Sequence, residues 1–394
     1  MTNDEIIALN DRYLFPVYPR APLALVRGEG CRVWDADGKE YLDFFASTVV
    51  ANLGHAHPRV TQAIAEQAGK ILHVSNLHHS EPQALLAERL CTRSFADRVF
   101  LCNSGAEANE AALKLARRYG AEHGGGRFEI LTALGSFHGR TIATLTATGQ
   151  EKVRQGFQPL PEGFRYFAYN DIDALAAAIS PRTIAVMLEA VQGEGGIRVP
   201  HPDYLRRVRE LCDRHDLLLI LDEVQTGMGR LGTLFAYEQS GITPDIMTLA
   251  KGLGAGVPIG AMLATERLAA SFTAGAHAST FGGNALTCAA AVAVMQVMAE
   301  EGVLANCRVQ GEYLRARLRE LRVRLPRIKD VRGNGLLVGA EIDGPGAPVV
   351  DACREAGLLI NCTAEKTLRF SPPLIVTQDE IDRALEIVAR ALGQ

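Results

Sequence analysis

The run Leu217-Leu218-Leu219-Ile220-Leu221 is apolar at every position and stops at Asp222. A strand with one wet face alternates apolar and polar residues. A run apolar on both faces needs cover on both sides, so it predicts a strand with helices above and below. The surrounding chain supplies that cover. Helical periodicity at 82–94, 105–120 and 202–215 alternates with strand-like runs at 98–102, 128–133, 184–189, 246–250 and 258–264. This alternation predicts an α/β domain built on a mostly parallel sheet.

The ends of the chain read differently. Residues 1–20 show no clear period and read as an arm. Residues 30–44 read as a hairpin around an Asp-x-Asp-Gly turn. Pro58 opens a predicted helix over 58–70. From about 284 to 325 the chain reads as helical with one charged face. Gly333, Gly335 and Gly339 then punctuate short strands, and 378–392 reads as an amphipathic helix. The expected division is a large domain over 51–284 and a smaller α+β domain from 285–394 joined by the N-terminal 1–50.

Composition narrows the function. The 394 residues are 47% hydrophobic and 22% charged, with a formal net charge of −4, which suits a globular enzyme and not a nucleic-acid surface. Eight scattered cysteines contain no CxxC pair, a pattern of free thiols in a reducing compartment. The histidines lack metal-ligand spacing, so no metal is expected. The N-terminus lacks the features of a signal peptide, and no apolar run reaches membrane-spanning length. The expectation is a soluble cytoplasmic enzyme without membrane or nucleic-acid partners.

Twenty-nine residues after Asp222, Lys251 stands between the apolar run Thr248-Leu249-Ala250 and the glycine-rich turn Gly252-Leu253-Gly254. One strand that delivers a carboxylate and another that delivers an amine suit pyridoxal phosphate. The lysine bonds the cofactor aldehyde, and the aspartate keeps a proton on the pyridine nitrogen so that the ring draws electrons.

Other segments fit this reading. Asn103-Ser104-Gly105-Ala106-Glu107 follows a strand and opens a helix, so Ser104 and the backbone behind it suit both an N-cap and a phosphate. In Phe137-His138-Gly139-Arg140 the aromatic ring can stack on a planar cofactor and Arg140 can fork onto a carboxylate. Glu189 to Gly196 carries Glu189 and Glu194 past a strand end. Gln225 follows Asp222 closely enough to reach the same ring. Ser279-Thr280 precedes a small-residue helix as a second hydroxyl cap. Arg369, inside the apolar run Leu368–Phe370, calls for an anionic partner.

In their order and residue content these stretches resemble the class III, fold-type I pyridoxal-phosphate-dependent aminotransferases. The resemblance runs from about residue 13 to the C-terminus and is nearest to the acetylornithine branch. It implies a seven-stranded large domain. It implies Lys251 and Asp222 as catalytic residues, and a cofactor site of Ser104, Gly105, Ala106, Phe137, His138, Glu189, Asp222, Gln225, Lys251 and Thr280. Gln225 is expected at the ring's phenolic oxygen with Glu189 in support, and Thr280 on the phosphate of the neighbouring subunit, which implies a homodimer with shared sites. Arg140, Glu194, Ser279 and Arg369 are the implied substrate residues. Arg140 would take the donor's carboxylate and Arg369 the α-carboxylate of glutamate or 2-oxoglutarate, with Glu194 masking Arg369 when an ω-amine donor is bound.

The implied reaction moves the terminal amino group of N2-acetyl-L-ornithine to 2-oxoglutarate, as in arginine biosynthesis. Ornithine, N-succinyl-diaminopimelate and 4-aminobutyrate are alternative donors, and a catalytically silent cofactor-binding protein is the alternative of another class. Two positions depart from the family pattern. Phe45-Ala46-Ser47-Thr48-Val49-Val50 replaces a glycine- and alanine-rich stretch near the substrate entrance, and Ala285 stands where a proline is common.

Overall fold

The computed structural model describes residues 1–393. Its centre is a seven-stranded sheet in the spatial order Arg98–Cys102, Gly260–Ala264, Ile246–Leu249, Leu218–Asp222, Thr183–Glu189, Glu129–Ala133, Phe164–Phe167. Gly260–Ala264 runs antiparallel to both of its neighbours, and the pairings from Ile246–Leu249 to Phe164–Phe167 are all parallel. Every residue of Leu218–Asp222 and of Thr183–Glu189 is buried, as expected of strands covered on both faces. The anticipated strands at 98–102, 128–133, 184–189, 217–222, 246–250 and 258–264 all form, within two residues at each end. Phe164–Phe167 was not anticipated, because it is a short edge strand with two half-buried residues and one exposed one.

The carboxyl ends of the parallel strands share one edge. Glu189 pairs with Asp222 across the ladder, and Asp222 with Thr248, three residues before Lys251. Cys102 leads at once to Ser104, which caps the helix Gly105–His123 by accepting a hydrogen bond from the Glu107 N–H. Sequence-distant segments thereby deliver their loops to one rim, where ligands bind in such sheets.

Two smaller sheets flank this core. In one, the segments Leu25–Glu29, Arg32–Asp35 and Glu40–Asp43 are joined by Leu358–Leu359 from the other end of the chain. The other has the order Ile328–Asn334, Leu337–Ile342, Thr367–Phe370, Asn361–Thr363 and is antiparallel throughout. It places Arg369 opposite Gly339 on one side and Asn361 on the other.

Two expectations need correction. Residues 1–20, read as an arm without a clear period, contain a helix, Asn3–Tyr13, that the sequence reading did not anticipate. No residue of it is buried, so no hydrophobic period marks it. It is started by a local capping box in which Thr2 and Glu5 satisfy each other's backbone N–H. The stretch 284–325 is two helices, Ala285–Glu300 and Val303–Arg324, parted at Gly302, whose φ of +68° suits glycine. The first is largely buried, so the charged face belongs to the second. Among the described residues no single helix is long and apolar enough to cross a membrane, and the eight cysteines are free thiols.

Candidate active site

A cavity of about 470 Å³ opens at the carboxyl rim of the central sheet. Its walls include Ser104, Gly105, Ala106, Phe137, His138, Arg140, Glu189, Glu194, Asp222, Gln225 and Lys251. Residues that span almost 150 positions of sequence therefore face one space.

Asp222 is 3% exposed and held on three sides. Its Oδ2 accepts from Asn109 Nδ2 at 2.8 Å and lies 2.8 Å from His138 Nδ1. Its Oδ1 accepts from the Val224 N–H at 3.0 Å. A carboxylate has about four acceptor positions, so Oδ1 keeps one for a further donor. Asn109 also donates to the His138 carbonyl, and its Oδ1 accepts from Thr248 Oγ1. One buried amide thus fixes the helix, the Asp222 strand and the strand that leads to Lys251. The sequence held a signal for Asn109 that our reading missed: a polar residue among the alanines of the helix's buried face, Ala108, Ala111 and Ala112.

Lys251 lies in a short 3₁₀ turn, Lys251–Leu253, with φ +48°. A non-glycine residue with such a φ is uncommon and marks a backbone held by its surroundings. Burial pushes the lysine below its ordinary pKa, against the opposing influence of Glu194.

The helix start fits an anion. Among the described residues the Gly105 and Ala106 N–H groups donate to no acceptor within the chain, and both residues line the cavity. Unused N–H groups at the positive end of a 19-residue helix suit an anion such as a phosphate. Glu107 does not fill it, because its carboxylate turns back to accept from the Asn103 N–H at 2.7 Å. Phe137 is a half-buried wall beneath Arg140, whose guanidinium carbon is 5.6 Å from the ring centre. The site therefore offers a carboxylate with a spare acceptor, a depressed amine, an anion cradle and an aromatic face. This set fits pyridoxal phosphate.

The two arginines differ. Arg140 is exposed, and among the described residues it has no carboxylate partner. Arg369 is 1% exposed and lies 2.6 Å from Glu194. Its Nε donates to Asn361 Oδ1 and its Nη1 also donates to Gln225 Oε1 at 3.3 Å. Although burial opposes it, the Arg369 charge holds the Glu194 carboxyl below its ordinary pKa.

Three expected contacts differ. Glu189 does not support Gln225. Its carboxylate accepts from the Phe137 and Gly193 N–H groups and so ties two rim loops together. Burial raises its pKa to about 7. Gln225 turns toward the ion pair and donates to Glu194 Oε1 at 3.3 Å. Ser279 and Thr280 do not cap the following helix, since Asn284 accepts from the Thr287 N–H. Both line a separate cavity. Ser279 accepts from Asn103 Nδ2 and the Gly282 N–H, while Thr280 is exposed. Within one chain neither reaches the Lys251 cavity.

Comparison with known proteins agrees with the site chemistry. The sequence profile of the family described as Aminotransferase class-III matches residues 16–392. An acetylornithine aminotransferase of Caldanaerobacter subterraneus is 51% identical over 391 residues, which is 99% of each chain. An ornithine aminotransferase of Toxoplasma gondii, solved with pyridoxal phosphate at partial occupancy in its active site, superposes with a TM-score of 0.96. It is 35% identical and covers 99% of this chain and 94% of its own. An N-acetylornithine aminotransferase of Stenotrophomonas maltophilia has a TM-score of 0.86 and 40% identity, with 98% of each chain covered.

Proposed function

The chain belongs to the class-III aminotransferases, and on that premise we propose that it moves the terminal amino group of N2-acetyl-L-ornithine to 2-oxoglutarate. The products are N-acetyl-L-glutamate 5-semialdehyde and L-glutamate. The observation that carries this reading is the ion pair between the half-buried Glu194 and the buried Arg369, beside Arg140, which has no carboxylate partner among the described residues. Relatives named acetylornithine aminotransferase, about half identical over the full length, support it.

Pyridoxal phosphate, when bound, supplies an aldehyde that bonds amines and a ring that draws in electrons. In this reading Ser104, Gly105 and Ala106 hold its phosphate, Phe137 packs on its ring, and Asp222 keeps a proton on its ring nitrogen. His138 and Asn109 hold the Asp222 carboxylate in its orientation. With the cofactor bound, the donor amine would displace Lys251 from the aldehyde carbon, and the freed Nζ would take the proton from the donor's amine-bearing carbon and return it to that former aldehyde carbon, as general base and then acid. Burial makes that nitrogen less basic than a lysine in water, which favours its neutral, proton-accepting form.

One pocket must take two shapes of substrate. N-acetylornithine carries one carboxylate and a neutral amide, so Arg140 serves the carboxylate while Glu194 keeps Arg369 neutralised. 2-Oxoglutarate carries two carboxylates, so Glu194 swings away and both arginines bind. A buried arginine without its partner would be costly, which is why the carboxylate must be mobile and not absent. Glu194 is half-buried and has that freedom.

The reading includes a cytoplasmic homodimer with shared sites. Thr280 is exposed next to the exposed Phe281, and Phe281 packs on His73 near the exposed Leu72 and Leu77. A second copy on this surface would cover those apolar groups and bring its hydroxyl to the partner's cradle. The free thiols, six of them buried, suit a reducing compartment. A donor panel with 2-oxoglutarate as acceptor tests the assignment. N-acetylornithine is expected to exceed ornithine, N-succinyl-diaminopimelate and 4-aminobutyrate in kcat/KM. A higher value for another donor reassigns the substrate, and no turnover on any amine reduces the protein to a cofactor binder.

A further inference from the structure

Asn52 lies outside the cavity wall, yet it touches the loop that follows Gln225, the turn that holds Lys251 and the segment that follows Arg369. It is 1% exposed and sits two residues after Val50, which lines the cavity. Its Nδ2 donates to the Met228 carbonyl at 2.8 Å, on the loop that follows Gln225. Its Oδ1 accepts from Arg230 Nη2 at 2.6 Å. Its own carbonyl accepts from the Leu374 N–H at 2.7 Å. Arg230, fully buried, continues the tie by donating to the Pro372 carbonyl, three residues past Arg369, and to the Leu336 carbonyl.

The fourth contact is the informative one. A β-carbon placed on Gly252 would lie 2.2 Å from Asn52 Nδ2 and 2.8 Å from Asn52 Cγ. The amide is therefore stacked against the bare Cα of the residue next to Lys251. Two of the loops it touches hold a non-glycine residue in the left-handed region, Met228 at φ +51° and Lys251 at φ +48°. Conformations of this kind persist only where the surroundings over-determine them.

We propose that Asn52 is a positioning residue for Lys251: its amide, anchored by Arg230, braces the Gly252 backbone and holds Lys251 in the left-handed turn that aims its amine into the cavity. The inference deepens the aminotransferase reading, because it concerns the same lysine. It also explains a glycine at 252 on grounds other than φ, since Gly252 itself does not have a positive φ.

The test uses Asn52→Ala, Gly252→Ala and the double variant in the full chain. The first readout is the reactivity of Lys251 toward acetic anhydride as a function of pH, followed by peptide mass spectrometry after the cofactor is removed. The second is kcat and KM on the cofactor-loaded enzyme. Loss of the amide frees the turn and admits water, so Asn52→Ala is expected to move the Lys251 labelling midpoint up toward that of the other lysines. It is expected to lower kcat at least tenfold with KM changed less than twofold. Gly252→Ala alone clashes with the amide, and removal of the amide makes room for the methyl, so the double variant is expected to recover kcat relative to Gly252→Ala.

An unchanged midpoint in Asn52→Ala, or a double variant no better than Gly252→Ala, overturns the proposal. If Asn52→Ala does not fold, Gly252→Ala decides alone: its β-carbon displaces the amide, so a raised Lys251 labelling midpoint with lowered kcat supports the proposal, and parent values of both overturn it. The labelling result does not depend on transamination. A shifted midpoint in a protein inactive on every donor would leave the positioning role standing and sink the functional reading.

Discussion

Glu194 and Arg369 are 175 positions apart in sequence and meet at 2.6 Å, the arginine almost wholly buried and the glutamate able to reach solvent. The pair joins the rim of the central sheet to a strand of the flanking one. Removal of the carboxylate leaves Arg369 permanently open. A hydrogen bond to a charged group contributes about 1.5–3 kcal/mol, so Glu194→Ala should raise kcat/KM for an α-amino donor such as glutamate relative to N-acetylornithine by about tenfold or more. Steady-state rates on both donors measure the ratio, and an unchanged ratio means that Glu194 does not gate Arg369.

Asp222 accepts from three donors of the protein. Asn in its place presents an NH₂ or a neutral oxygen to Asn109 and His138 and cannot hold a proton on a ring nitrogen. Asp222→Asn should lower kcat by about 10²–10³-fold, the range seen when one aimed electrostatic group is removed from a site. A variant within a few-fold of the parent would remove Asp222 from the mechanism.

Glu223, the neighbour of Asp222, is buried and accepts from the Ala236 and Tyr237 N–H groups, and among the described residues it forms no ion pair. Burial raises its pKa to about 8. The folded state then binds the proton more tightly than the unfolded chain does. This group's contribution to stability is full below its unfolded pKa near 4.5 and is lost as pH rises through 8. Thermal or urea unfolding from pH 5 to 8 should show stability falling by about 1 kcal/mol per pH unit from this group. Glu189, raised to about 7 by burial, adds in the same direction at the lower end of the window. Glu223→Gln should flatten the slope, and an identical slope in the variant would exclude Glu223 as its source.

Arg230 satisfies the carbonyls of Leu336 and Pro372 and the Asn52 oxygen from one buried guanidinium. Arg230→Met fits the volume but leaves three acceptors without donors, each worth about 1–3 kcal/mol. The variant should be less stable by roughly 3–5 kcal/mol in chemical denaturation. A loss under 1 kcal/mol would mean that water replaces the guanidinium.

The shared cavity of the candidate site was legible because its residues sit where strand ends must be. Asp222 and Glu189 close fully apolar runs, and Lys251 and Ser104 follow strands directly, so one-dimensional pattern located them. Asn52 and Asn109 were not legible. Their roles depend on contacts 176 and 113 positions away in sequence, and an asparagine near a turn or in a helix has many commoner explanations. The turn of Gln225 toward Glu194 was missed for a related reason: spacing gives a side chain's reach, and only the packed neighbours decide which partner it takes. The edge strand Phe164–Phe167 and the exposed helix Asn3–Tyr13 lack the burial that would have written a period into the sequence.

All of this rests on Lys251 as the amine that bonds the cofactor opposite Asp222. Borohydride reduction of the pyridoxal-phosphate-loaded protein, followed by peptide mapping, tests it directly. The account predicts a single phosphopyridoxyl mass on the peptide that contains Lys251 and none in Lys251→Ala. The mass on another lysine, or its persistence in the variant, would contradict it.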